Sequence, residues 1–328
     1  MDILVTGGAG FLGSHLTDRL LAAGHRVTVL DDFSSGRLAF LTRALRHPQF
    51  RLVEGSVLNE RLVAQLVRDH DAVFHFAAVL GVRCCVEDPV RVLEGNATGT
   101  RHVAAACHEF GRKLVFASTS EVYGKNPSVP FAEDADRVLG PATVHRWCYA
   151  TAKALGEHLC FGYAKRGLRV TVLRYFNVYG PRAVATPYAG VIPVMIARAL
   201  AGRPVVVHGD GSQTRCFTHV ADAVRATEAA LSPAADGMAI NVGGREEVSI
   251  RRLAETIVRL SGSASPIIHV SYEAAFGPGF EDTPRRVPDV TRLGAVLGCA
   301  PAVPLSQGLT DTIAWHRAQA EEGSRDAV

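Results

Sequence analysis

The sequence predicts an α/β fold in which a doubly wound parallel sheet is followed by a smaller C-terminal lobe. Short apolar runs rich in β-branched residues predict buried strands at Ile3–Val5, Val27–Leu30, Ala72–Phe76, Leu114–Ala117 and Val170–Leu173. Segments with helical spacing alternate with these runs, at Ser14–Ala23, Glu60–Arg68, Asn96–Glu109 and Tyr149–Lys165. Repeated β-α-β order with such short strands is typical of a parallel sheet covered by helices on both faces.

The sequence pattern changes after Gly180-Pro181, where proline-containing loops become frequent. The predicted elements beyond this point are a helix near Ile192–Ala201, a strand at Pro204–His208, a helix over Val220–Leu231, a strand at Ile240–Val242, a helix over Ile250–Leu260, a loop-rich stretch at Tyr272–Pro288 and a closing helix over Leu309–Ala318. We expect a first domain over residues 1–178, whose sheet is completed by residues from about 215–250. Residues 179–328 then form mainly a second, substrate-binding lobe.

The composition describes a chain with enough apolar residues for a large core and no marked charge. It has 328 residues, 48% of them hydrophobic, which excludes disorder and a coiled coil. Its 35 basic and 32 acidic residues give a net charge of +3 without a Lys/Arg block, so nucleic acid is not an expected partner. No uncharged run approaches the roughly 18–20 residues that cross a bilayer, and Met1 leads almost directly into a strand-like run, so neither a membrane span nor a signal peptide is expected.

The cysteines and histidines show no metal or disulfide pattern. Cys84 and Cys85 are adjacent, and the other five of the seven cysteines are scattered without a CxxC pair. No histidine has HExxH or paired Cys/His spacing, so we expect no metal. An odd cysteine count in a long, well-cored chain is typical of a reduced intracellular protein, and we expect a cytoplasmic location.

A glycine-rich turn follows the first predicted strand and opens the first predicted helix. Gly7, Gly10 and Gly13 have the spacing GxxGxxG, which lets the backbone approach a pyrophosphate at a helix N-terminus, as in Rossmann-type dinucleotide-binding folds. Asp31 ends the second predicted strand, and a carboxylate there accepts hydrogen bonds from the adenosine ribose and repels a 2′-phosphate. The sequence therefore favours NAD over NADP, although Arg37 is able to pair with a 2′-phosphate.

A second pattern places a tyrosine and a lysine on one helix face. Tyr149 and Lys153 are four residues apart, and a neighbouring ammonium depresses a tyrosine pKa so that the side chain can accept a proton. Such a pair alone is usually a surface pair. It gains weight from Ser118–Glu121, which follows the strand at Leu114–Ala117, because ligands bind beyond the C-terminal ends of parallel strands.

Seven motifs occur in order along the chain: TGGAGFLG at Thr6–Gly13, LDDFSSG at Leu30–Gly36, FHFAA at Phe74–Ala78, NATGT at Asn96–Thr100, ASTSEVYG at Ala117–Gly124, the Tyr149–Lys153 segment and RYFNVYGPR at Arg174–Arg182. Together they resemble the extended short-chain dehydrogenase/reductase family that acts on nucleotide sugars. The resemblance implies a tightly bound NAD, transient oxidation of the sugar at C4, and a homodimer formed through the helices at Asn96–Glu109 and Tyr149–Lys165.

The resemblance also implies roles for individual residues. Tyr149 is the expected base, Lys153 its pKa partner and ribose ligand, and Thr119 the hydroxyl that holds the C4 oxygen, with Ser120 and Glu121 completing the catalytic set. The implied cofactor-binding residues are Gly7, Gly10, Phe11, Leu12, Gly13, Asp31, Asp32, Ser35, Gly36, Ser56, Val57, Phe76, Ala77, Ala78, Asn96, Tyr149 and Lys153. The implied substrate-binding residues are Val79, Thr119, Ser120, Asn177, Arg182, Val191, Arg215, Arg286 and Asp289.

Within these sets, two further points follow from the resemblance. Asn177, Arg215, Arg286 and Asp289 are expected to grip the nucleotide diphosphate and its ribose, and guanidinium forks suit phosphate oxygens. Ser56 departs from the family pattern, which has an aspartate near the adenine at this position.

Different motifs favour different reactions after oxidation at C4. Thr119–Tyr123, Arg146–Tyr149 and Phe276–Asp289 resemble UDP-glucuronate decarboxylases. Asn177–Pro193 is instead similar to the substrate loop of UDP-hexose 4-epimerases and has Pro187-Tyr188-Ala189 where decarboxylases carry an arginine. Ser120 stands where 4,6-dehydratases have an acidic aspartate, which ranks dehydration low.

The chemistry leaves two reactions open. A 4-keto hexuronate is a β-keto acid that loses CO2 once its carboxylate aligns with the carbonyl π system, whereas an epimerase must rotate the ketone and return hydride to the opposite face. Glu121 either raises the local negative field and favours CO2 loss or hydrogen-bonds the turn backbone. We expect an NAD-dependent 4-epimerase acting on UDP-glucuronate or another UDP-hexose. The alternative is a UDP-glucuronate decarboxylase, and a 4,6-dehydratase or a non-catalytic NAD-binding protein ranks lower.

Overall fold

The chain forms fourteen strands and eleven helices within the described residues, and the computed structural model describes residues 1–186, 190–277 and 280–325. The strands are β1 (Asp2–Thr6), β2 (Arg26–Asp31), β3 (Phe50–Glu54), β4 (Ala72–His75), β5 (Lys113–Thr119), β6 (Val170–Tyr175), β7 (Val178–Tyr179), β8 (Val205–His208), β9 (Thr214–Cys216), β10 (Thr218–His219), β11 (Met238–Val242), β12 (Glu247–Ser249), β13 (Ile267–Val270) and β14 (Arg285–Arg286). The helices are α1 (Phe11–Ala22), α2 (Glu60–Arg68), α3 (Val82–Glu87), α4 (Pro89–Glu109), α5 (Cys148–Ala164), α6 (Val191–Leu200), α7 (Val220–Ala229), α8 (Ile250–Leu260), α9 (Tyr272–Phe276), α10 (Thr291–Leu297) and α11 (Leu305–Arg325).

Seven of these strands pair in parallel to form the central sheet, in the order β11-β6-β5-β4-β1-β2-β3. The strand order reverses between β1 and β4, so the crossovers leaving these strands diverge and open a crevice at their C-terminal ends. In doubly wound sheets ligands bind in this crevice. The predicted Rossmann-type doubly wound α/β class is confirmed.

The two faces of the sheet bury different side chains because successive residues of a strand point in opposite directions. On β1, Ile3 and Val5 pack into a core with α1, α7 and α10, whereas Leu4 packs into a core with α2, α4 and α5. A third core joins α6, α8 and α11 to β8 in the C-terminal lobe. Across the described ranges 1–186, 190–277 and 280–325, no helix is long and apolar enough to cross a membrane.

The structure adds elements that the sequence pattern did not predict. Strand β3 forms the sheet edge, and its polar side chains, including Arg51 and Glu54, leave little apolar periodicity to detect. Helix α4 begins at Pro89, earlier than the predicted Asn96, because the Asp88 carboxylate caps its first turn by accepting a hydrogen bond from Arg91 N. The stretch predicted as loop-rich contains α9 and β14.

A buried ionic network fastens α5 to the sheet. The Arg174 guanidinium on β6 donates to both carboxylate oxygens of Glu157 on α5, at 2.9 and 2.7 Å, and Ser118 Oγ at the end of β5 donates to Glu157 Oε1 at 2.6 Å. The Arg174 and Glu157 side chains are 7% and 4% exposed, so the pair is shielded from water. The network fixes the register of α5 against the C-terminal ends of β5 and β6.

We expect Arg174→Met to lower the free energy of unfolding by about 3–5 kcal/mol, because Glu157 would remain buried without its cation. Urea denaturation curves measure the change. Arg68→Met is the control, since Arg68 pairs with Asp69 at the surface, where both side chains are more than half exposed, and such pairs contribute about 0–1 kcal/mol. Equal unfolding midpoints for the two variants would contradict the proposed anchoring of α5.

Candidate active site

The glycine turn between β1 and α1 forms an open cradle at the crevice. Gly7 has φ +71°, and a Cβ there would lie 2.6 Å from Ala77 N, so a side chain at this position does not fit. Gly10 is the N-cap of α1, and no side chain caps the helix. A Cβ on Gly13 would collide with the Gly7 carbonyl. The first turn of α1 therefore offers backbone N–H groups and a positive helix end to an anionic ligand.

Asp31, the last residue of β2, holds the neighbouring loops around this cradle. Its Oδ2 accepts a hydrogen bond from Ala9 N at 2.8 Å, and its Oδ1 accepts one from Phe33 N at 2.9 Å. Burial raises the pKa of this carboxyl group, although the two backbone hydrogen bonds oppose the rise. A Cβ on Gly36 would lie 2.7 Å from Asp31 Oδ1, so the loop that also carries exposed Ser35 passes close to the carboxylate.

The adjacent polar residues also have partners. Asp32 Oδ1 accepts from Ser34 N at 3.0 Å, and Asp32 also hydrogen-bonds the Ser56 hydroxyl. These bonds hold the pKa of Asp32 below its ordinary value, although burial raises it. Ser56, the residue that departs from the family pattern, therefore supports the acidic end of β2. Val57 follows, with its carbonyl accepting from His102 Nδ1 at 3.0 Å.

The remaining predicted cofactor residues line the crevice or support it. Phe76 packs against the Tyr175 ring, and Ala77 N donates to Thr6 Oγ1 at 3.4 Å. Asn96 on α4 donates from Nδ2 to the carbonyls of Val79 and Val92, both at 2.7 Å. The segment after β4, which includes Ala78, is thereby tied to α4. Phe11 and Leu12 in the first turn of α1 pack against the adjoining core.

The tyrosine and lysine lie together on α5, at the C-terminal end of β5. Lys153 Nζ donates to the Ala117 carbonyl at 2.8 Å and lies 5.9 Å from the centre of the Tyr149 ring. Burial lowers the pKa of Lys153 to about 8. Burial and the nearby Glu121 carboxylate raise the pKa of Tyr149. The prediction that Lys153 depresses this pKa is therefore wrong for the residues of the chain alone, which leave Tyr149 neutral at physiological pH because burial outweighs the ammonium.

The predicted hydroxyl and carboxylate side chains follow β5 directly. Thr119 Oγ1 accepts from Glu121 N at 3.2 Å, which shapes the single turn of 3-10 helix over Ser120–Tyr123. Ser120 is buried, and Thr119 is partly exposed at the strand end. Backbone geometry alone thus brings Thr119, Ser120 and Glu121 to the edge of the sheet that Tyr149 faces.

Glu121 is held by two arginines, and we call Glu121, Arg146 and Arg286 the Glu121 cluster. Arg146 Nη1 donates to Glu121 Oε2 at 2.6 Å, and Arg146 Nη2 donates to Oε1 at 3.1 Å. Arg286 Nη1 lies 3.6 Å from Oε1. Although burial raises the pKa of Glu121, the two guanidinium groups hold it at about 2, so the carboxylate is ionised at neutral pH. Burial and the charge of Arg215 lower the pKa of Arg286 to about 10.

The Arg215 side chain on β9 hydrogen-bonds mainly to the segment that follows α9. Its Nη2 donates to both Asp282 oxygens, at 3.0 and 2.9 Å, and its Nη1 donates to the carbonyls of Thr214 and Thr283, both at 2.8 Å. Arg215 therefore fixes the chain that leads into β14, where Arg286 pairs directly beside it.

Three other predicted substrate residues have structural partners. Arg182 Nη2 donates to Asp18 Oδ2 on α1 at 2.6 Å, and Asp289 Oδ1 accepts from Thr291 N at 2.8 Å at the start of α10. Asn177, with φ +42°, donates from Nδ2 to the Cys216 carbonyl at 2.9 Å. Val191 begins α6. The segment Pro187-Tyr188-Ala189, which stands where decarboxylases carry an arginine, lies outside the described residues.

Sequence reasoning did not assign a role to Arg146. The residue comes directly before Trp147 and three positions before Tyr149, so one helical turn brings it to the same end of α5. The one sequence signal for a role of Arg146 is the resemblance of Arg146–Tyr149 to decarboxylases. The residues next to Arg146 in the sequence do not indicate that Glu121 is its partner.

The glycine cradle, the uncapped start of α1 and the Asp31 carboxylate fit a dinucleotide, and the Tyr149–Lys153 pair beside them fits proton transfer to or from a hydroxyl group. Fold and site together define a Rossmann-type nicotinamide-dependent enzyme. Comparisons with known proteins place it more narrowly. Residues 3–243 match the NAD dependent epimerase/dehydratase family. The chain belongs to this family and binds NAD.

Similar proteins of known name act on nucleotide sugars. A UDP-N-acetyl-alpha-D-glucosaminuronate decarboxylase of Bacillus cytotoxicus is 47% identical over 314 residues, which are 96% of this chain and 97% of that protein. A UDP-glucuronic acid decarboxylase of Xenopus tropicalis is 36% identical over 97% of this chain and 73% of that protein. The structure of UDP-glucuronic acid 4-epimerase from Bacillus cereus with UDP-glucuronic acid and NAD has a TM-score of 0.87 and 31% identity, covering 97% of this chain and 100% of that one. The resemblance to nucleotide-sugar short-chain dehydrogenases/reductases is confirmed.

We expect Asp31→Ala to weaken NAD binding and to narrow the preference for NAD over NADP. The variant loses the carboxylate that would accept from the ribose, repel a 2′-phosphate, and hold Ala9 N and Phe33 N. Losing charge-assisted hydrogen bonds predicts a change of about 1.5–3 kcal/mol in NAD binding. Calorimetric titration with both cofactors measures it. Asp69→Ala, an exposed acidic change at the opposite end of the sheet, is the control. Unchanged discrimination would mean that other residues recognise the ribose.

Proposed function

We propose that this enzyme decarboxylates a UDP-hexuronate through a transient 4-ketone, with UDP-N-acetylglucosaminuronate as the first substrate to test and UDP-glucuronate as the second. The Glu121 cluster carries the proposal, because it sets one fixed negative charge and two guanidinium groups near Tyr149, and the C5 substituent of a sugar whose C4 hydroxyl meets Tyr149 lies one carbon away from the reacting centre. The identity of 47% to a decarboxylase supports the same choice over the 4-epimerase that the sequence led us to expect.

The first chemical step removes the proton of the C4 hydroxyl. Tyr149 is the base, and Thr119 Oγ at the end of β5 hydrogen-bonds the same oxygen. The Lys153 ammonium, which is anchored to the Ala117 carbonyl and lies 5.9 Å from the centre of the tyrosine ring, and the positive charge of a bound nicotinamide would together stabilise the phenolate of the otherwise neutral Tyr149. NAD held at the glycine cradle and Asp31 supplies the redox chemistry at C4.

The second step breaks the bond between C5 and the carboxylate. Its electron pair moves into the C4 carbonyl and gives an enolate, which the hydroxyl groups of Tyr149 and Thr119 stabilise by hydrogen bonds. The bond breaks only when the carboxylate lies along the π system of the carbonyl. Positioning the carboxylate is therefore the main task of the protein in this step.

The charges of the cleft suit this task. Arg146, Arg215 and Arg286 are all buried, and they outnumber their acidic partners Glu121 and Asp282 by one charge. The excess positive charge attracts an anionic substrate. The ionised Glu121 opposes a second carboxylate next to it and favours its departure as neutral CO2. Arg286 keeps its proton and its charge at neutral pH even though its pKa is lowered to about 10, so the proton that C5 of the enolate takes up comes from water.

A UDP-sugar 4-epimerase is the second candidate function. It is favoured by the structural similarity to a UDP-glucuronic acid 4-epimerase across nearly the whole chain. An epimerase acting on a hexuronate must keep the carboxylate out of alignment with the ketone, whereas the fixed charge of Glu121 would promote its loss. The two reactions share Tyr149, Lys153 and the cofactor, so only their products separate them.

We also propose that the protein acts as a cytoplasmic homodimer. Apolar side chains on the outer faces of α4 and α5 are exposed, including Val90 at 59% and Leu155 at 46%. Burying these side chains between two copies would remove apolar surface from water. Sedimentation of the holoenzyme measures the state, and a monomer at assay concentrations would refute the dimer.

The substrate proposal is tested by incubating holoenzyme separately with UDP-N-acetylglucosaminuronate, UDP-glucuronate and UDP-glucose. Mass spectrometry of the nucleotide products distinguishes the reactions, because decarboxylation removes the mass of CO2 and epimerisation leaves the mass unchanged. We expect loss of CO2 from at least one hexuronate and no mass change with UDP-glucose. Conversion of a hexuronate to an isomer of equal mass, seen by chromatography, would establish the epimerase instead.

We expect Tyr149→Phe to lower kcat by about 10²–10⁴-fold, the usual contribution of a general base, while NAD stays bound. The variant keeps the ring and removes only the hydroxyl that accepts the proton. Rapid-quench assays give kcat, and protein-bound NAD is measured after gel filtration. Tyr163→Phe, which removes the same hydroxyl from a half-buried tyrosine near the C-terminal end of α5, is the matched control and should leave kcat unchanged. Substantial residual turnover in Tyr149→Phe would remove this residue as the base.

We expect Glu121→Gln to slow CO2 release by about 10²–10³-fold, the range for removal of one preorganised electrostatic group, while sugar oxidation continues. Reduced-cofactor absorbance would then accumulate together with a 4-keto hexuronate. Glu54→Gln, an exposed change at the end of β3, is the control. Because Glu121 has a pKa of about 2 against an ordinary 4.5, its titration is absent from the wild-type activity profile at neutral pH. A Glu121→Gln enzyme with wild-type CO2 release would contradict its role.

A further inference from the structure

Three cysteines meet beside Tyr149, although the reaction uses none of them. Cys84 and Cys85 lie on α3, and Cys148 is the first residue of α5. The Cys148 thiol donates to the Cys85 carbonyl, with Sγ 3.8 Å from the oxygen, and each thiol shifts the pKa of the other. The two sulfur atoms are therefore neighbours, although their residues are 63 positions apart in the sequence.

The pair lies in a small apolar cluster of its own. Cys85 is 1% exposed and Cys148 is 8% exposed, and they pack with buried Val92. Tyr149 and Val79 lie at the edge of this cluster, so the two thiols touch the wall of the proposed substrate site. Any covalent change that draws them together is transmitted directly to the base.

The geometry points to a reversible disulfide between Cys85 and Cys148 that switches the enzyme off under oxidising conditions. All cysteines of the described residues are free thiols in the structure. Among residues 1–186, 190–277 and 280–325, this is the pair in which the thiol of one cysteine hydrogen-bonds the backbone of another across a boundary between elements, from α5 to α3, within one apolar cluster.

Hydrogen peroxide is the oxidant class that balances the chemistry. The Cys148 thiolate attacks one peroxide oxygen, the O–O bond breaks, and Cys148 becomes a sulfenic acid with release of water after protonation. The Cys85 thiol then attacks the Cys148 sulfur, the S–O bond breaks, and the hydroxyl leaves as a second water. Two thiols lose two electrons and two protons in total, and peroxide is reduced to two waters. A small dithiol reverses the change by thiol–disulfide exchange.

The two thiols have different roles in this scheme. Cys148 lies at the N-terminus of α5, where the helix dipole stabilises a thiolate. Hydrogen bonding from the Cys85 thiol lowers the pKa of Cys148, and the same contact together with burial raises the pKa of Cys85. Cys148 is therefore the attacking sulfur, and Cys85 is the resolving sulfur.

The consequence for activity follows from the position of the link. A disulfide joins α3 to the residue directly before Tyr149, and it shortens the separation between the two sulfur atoms from a non-bonded distance to a covalent bond. The start of α5 must then shift towards α3. A displacement of about 1 Å of a catalytic group can cost about 10²-fold in rate, whereas the glycine cradle that holds NAD lies on different elements.

The chain contains its own comparison pair. Cys107 on α4 and Cys160 on α5 are also neighbours, but both are fully buried in the core between the sheet and these helices. Peroxide has no access to them in the folded protein. Oxidation is therefore expected at Cys148 and Cys85 and not at Cys107 and Cys160.

The test treats NAD-loaded wild-type enzyme with limiting hydrogen peroxide and maps disulfides by digestion under non-reducing conditions. We expect a linked peptide joining Cys85 to Cys148, a fall in kcat of about tenfold or more, unchanged bound NAD, and recovery with dithiothreitol. Cys85→Ala and Cys148→Ser should each abolish the linked peptide and the reversible loss. Cys299→Ala is the matched control, because Cys299 is also 8% exposed but lies on the far side of the sheet core, and it should remain sensitive.

Each other outcome overturns the assignment. A link through Cys84, oxidation to sulfinic acid without a linked peptide, or a Cys85–Cys148 link in fully active enzyme contradicts the switch. Loss of activity that persists in Cys85→Ala also contradicts it. The peptide map does not depend on the proposed substrate, so failure of the hexuronate assay in reduced enzyme would refute the proposed function while leaving this test readable.

Discussion

Partial burial of the Glu121 carboxylate, whose side chain is 17% exposed, is the constraint on which the candidate site depends. An ion removed from water costs several kcal/mol unless close opposite charges and hydrogen bonds compensate, and here Arg146 and Arg286 do so from two separate parts of the chain. Arg146 precedes α5, and Arg286 belongs to β14 of the C-terminal lobe. Satisfying one charge therefore brings the helix that carries Tyr149 and the lobe opposite it to the end of β5.

A second ion pair, which is shielded from water, holds the helix that carries Tyr149 to the central sheet. Glu157 and Arg174 hold α5 to the central sheet, and Lys153, one turn earlier on α5, reaches the Ala117 carbonyl. The position of the Tyr149 ring therefore depends on the sheet rather than on a surface loop. Rigid support of this kind is what a base needs if it is to meet one hydroxyl of a bound sugar.

Local patterns predicted the parts of the molecule that depend on neighbours in sequence. The apolar runs predicted the buried strands, and the glycine turn predicted the cofactor cradle because Gly7 and Gly13 must lack side chains there. The partners of charged residues depend instead on tertiary packing. Nothing near Glu121 in the sequence indicates Arg146, and nothing near Arg182 indicates its pairing with Asp18.

The same distinction explains the choice between the two reactions. A resemblance between short motifs left epimerisation and decarboxylation open, because both need Tyr149 and Lys153. The structure adds the arrangement around Glu121, which a list of motifs does not contain. The edge strand β3 was missed for a related reason, since its half-exposed residues follow no simple apolar alternation.

Decarboxylation is tested most directly with UDP-N-acetylglucosaminuronate and UDP-glucuronate labelled with ¹³C at the carboxylate. Each is incubated with NAD-loaded enzyme whose cysteines are kept reduced, and the reaction is followed by ¹³C NMR. We expect labelled CO2 and bicarbonate to appear in amounts equal to the nucleotide pentose formed from at least one of the two substrates. Retention of all the label in a hexuronate with inverted configuration at C4 would contradict it and identify the enzyme as an epimerase.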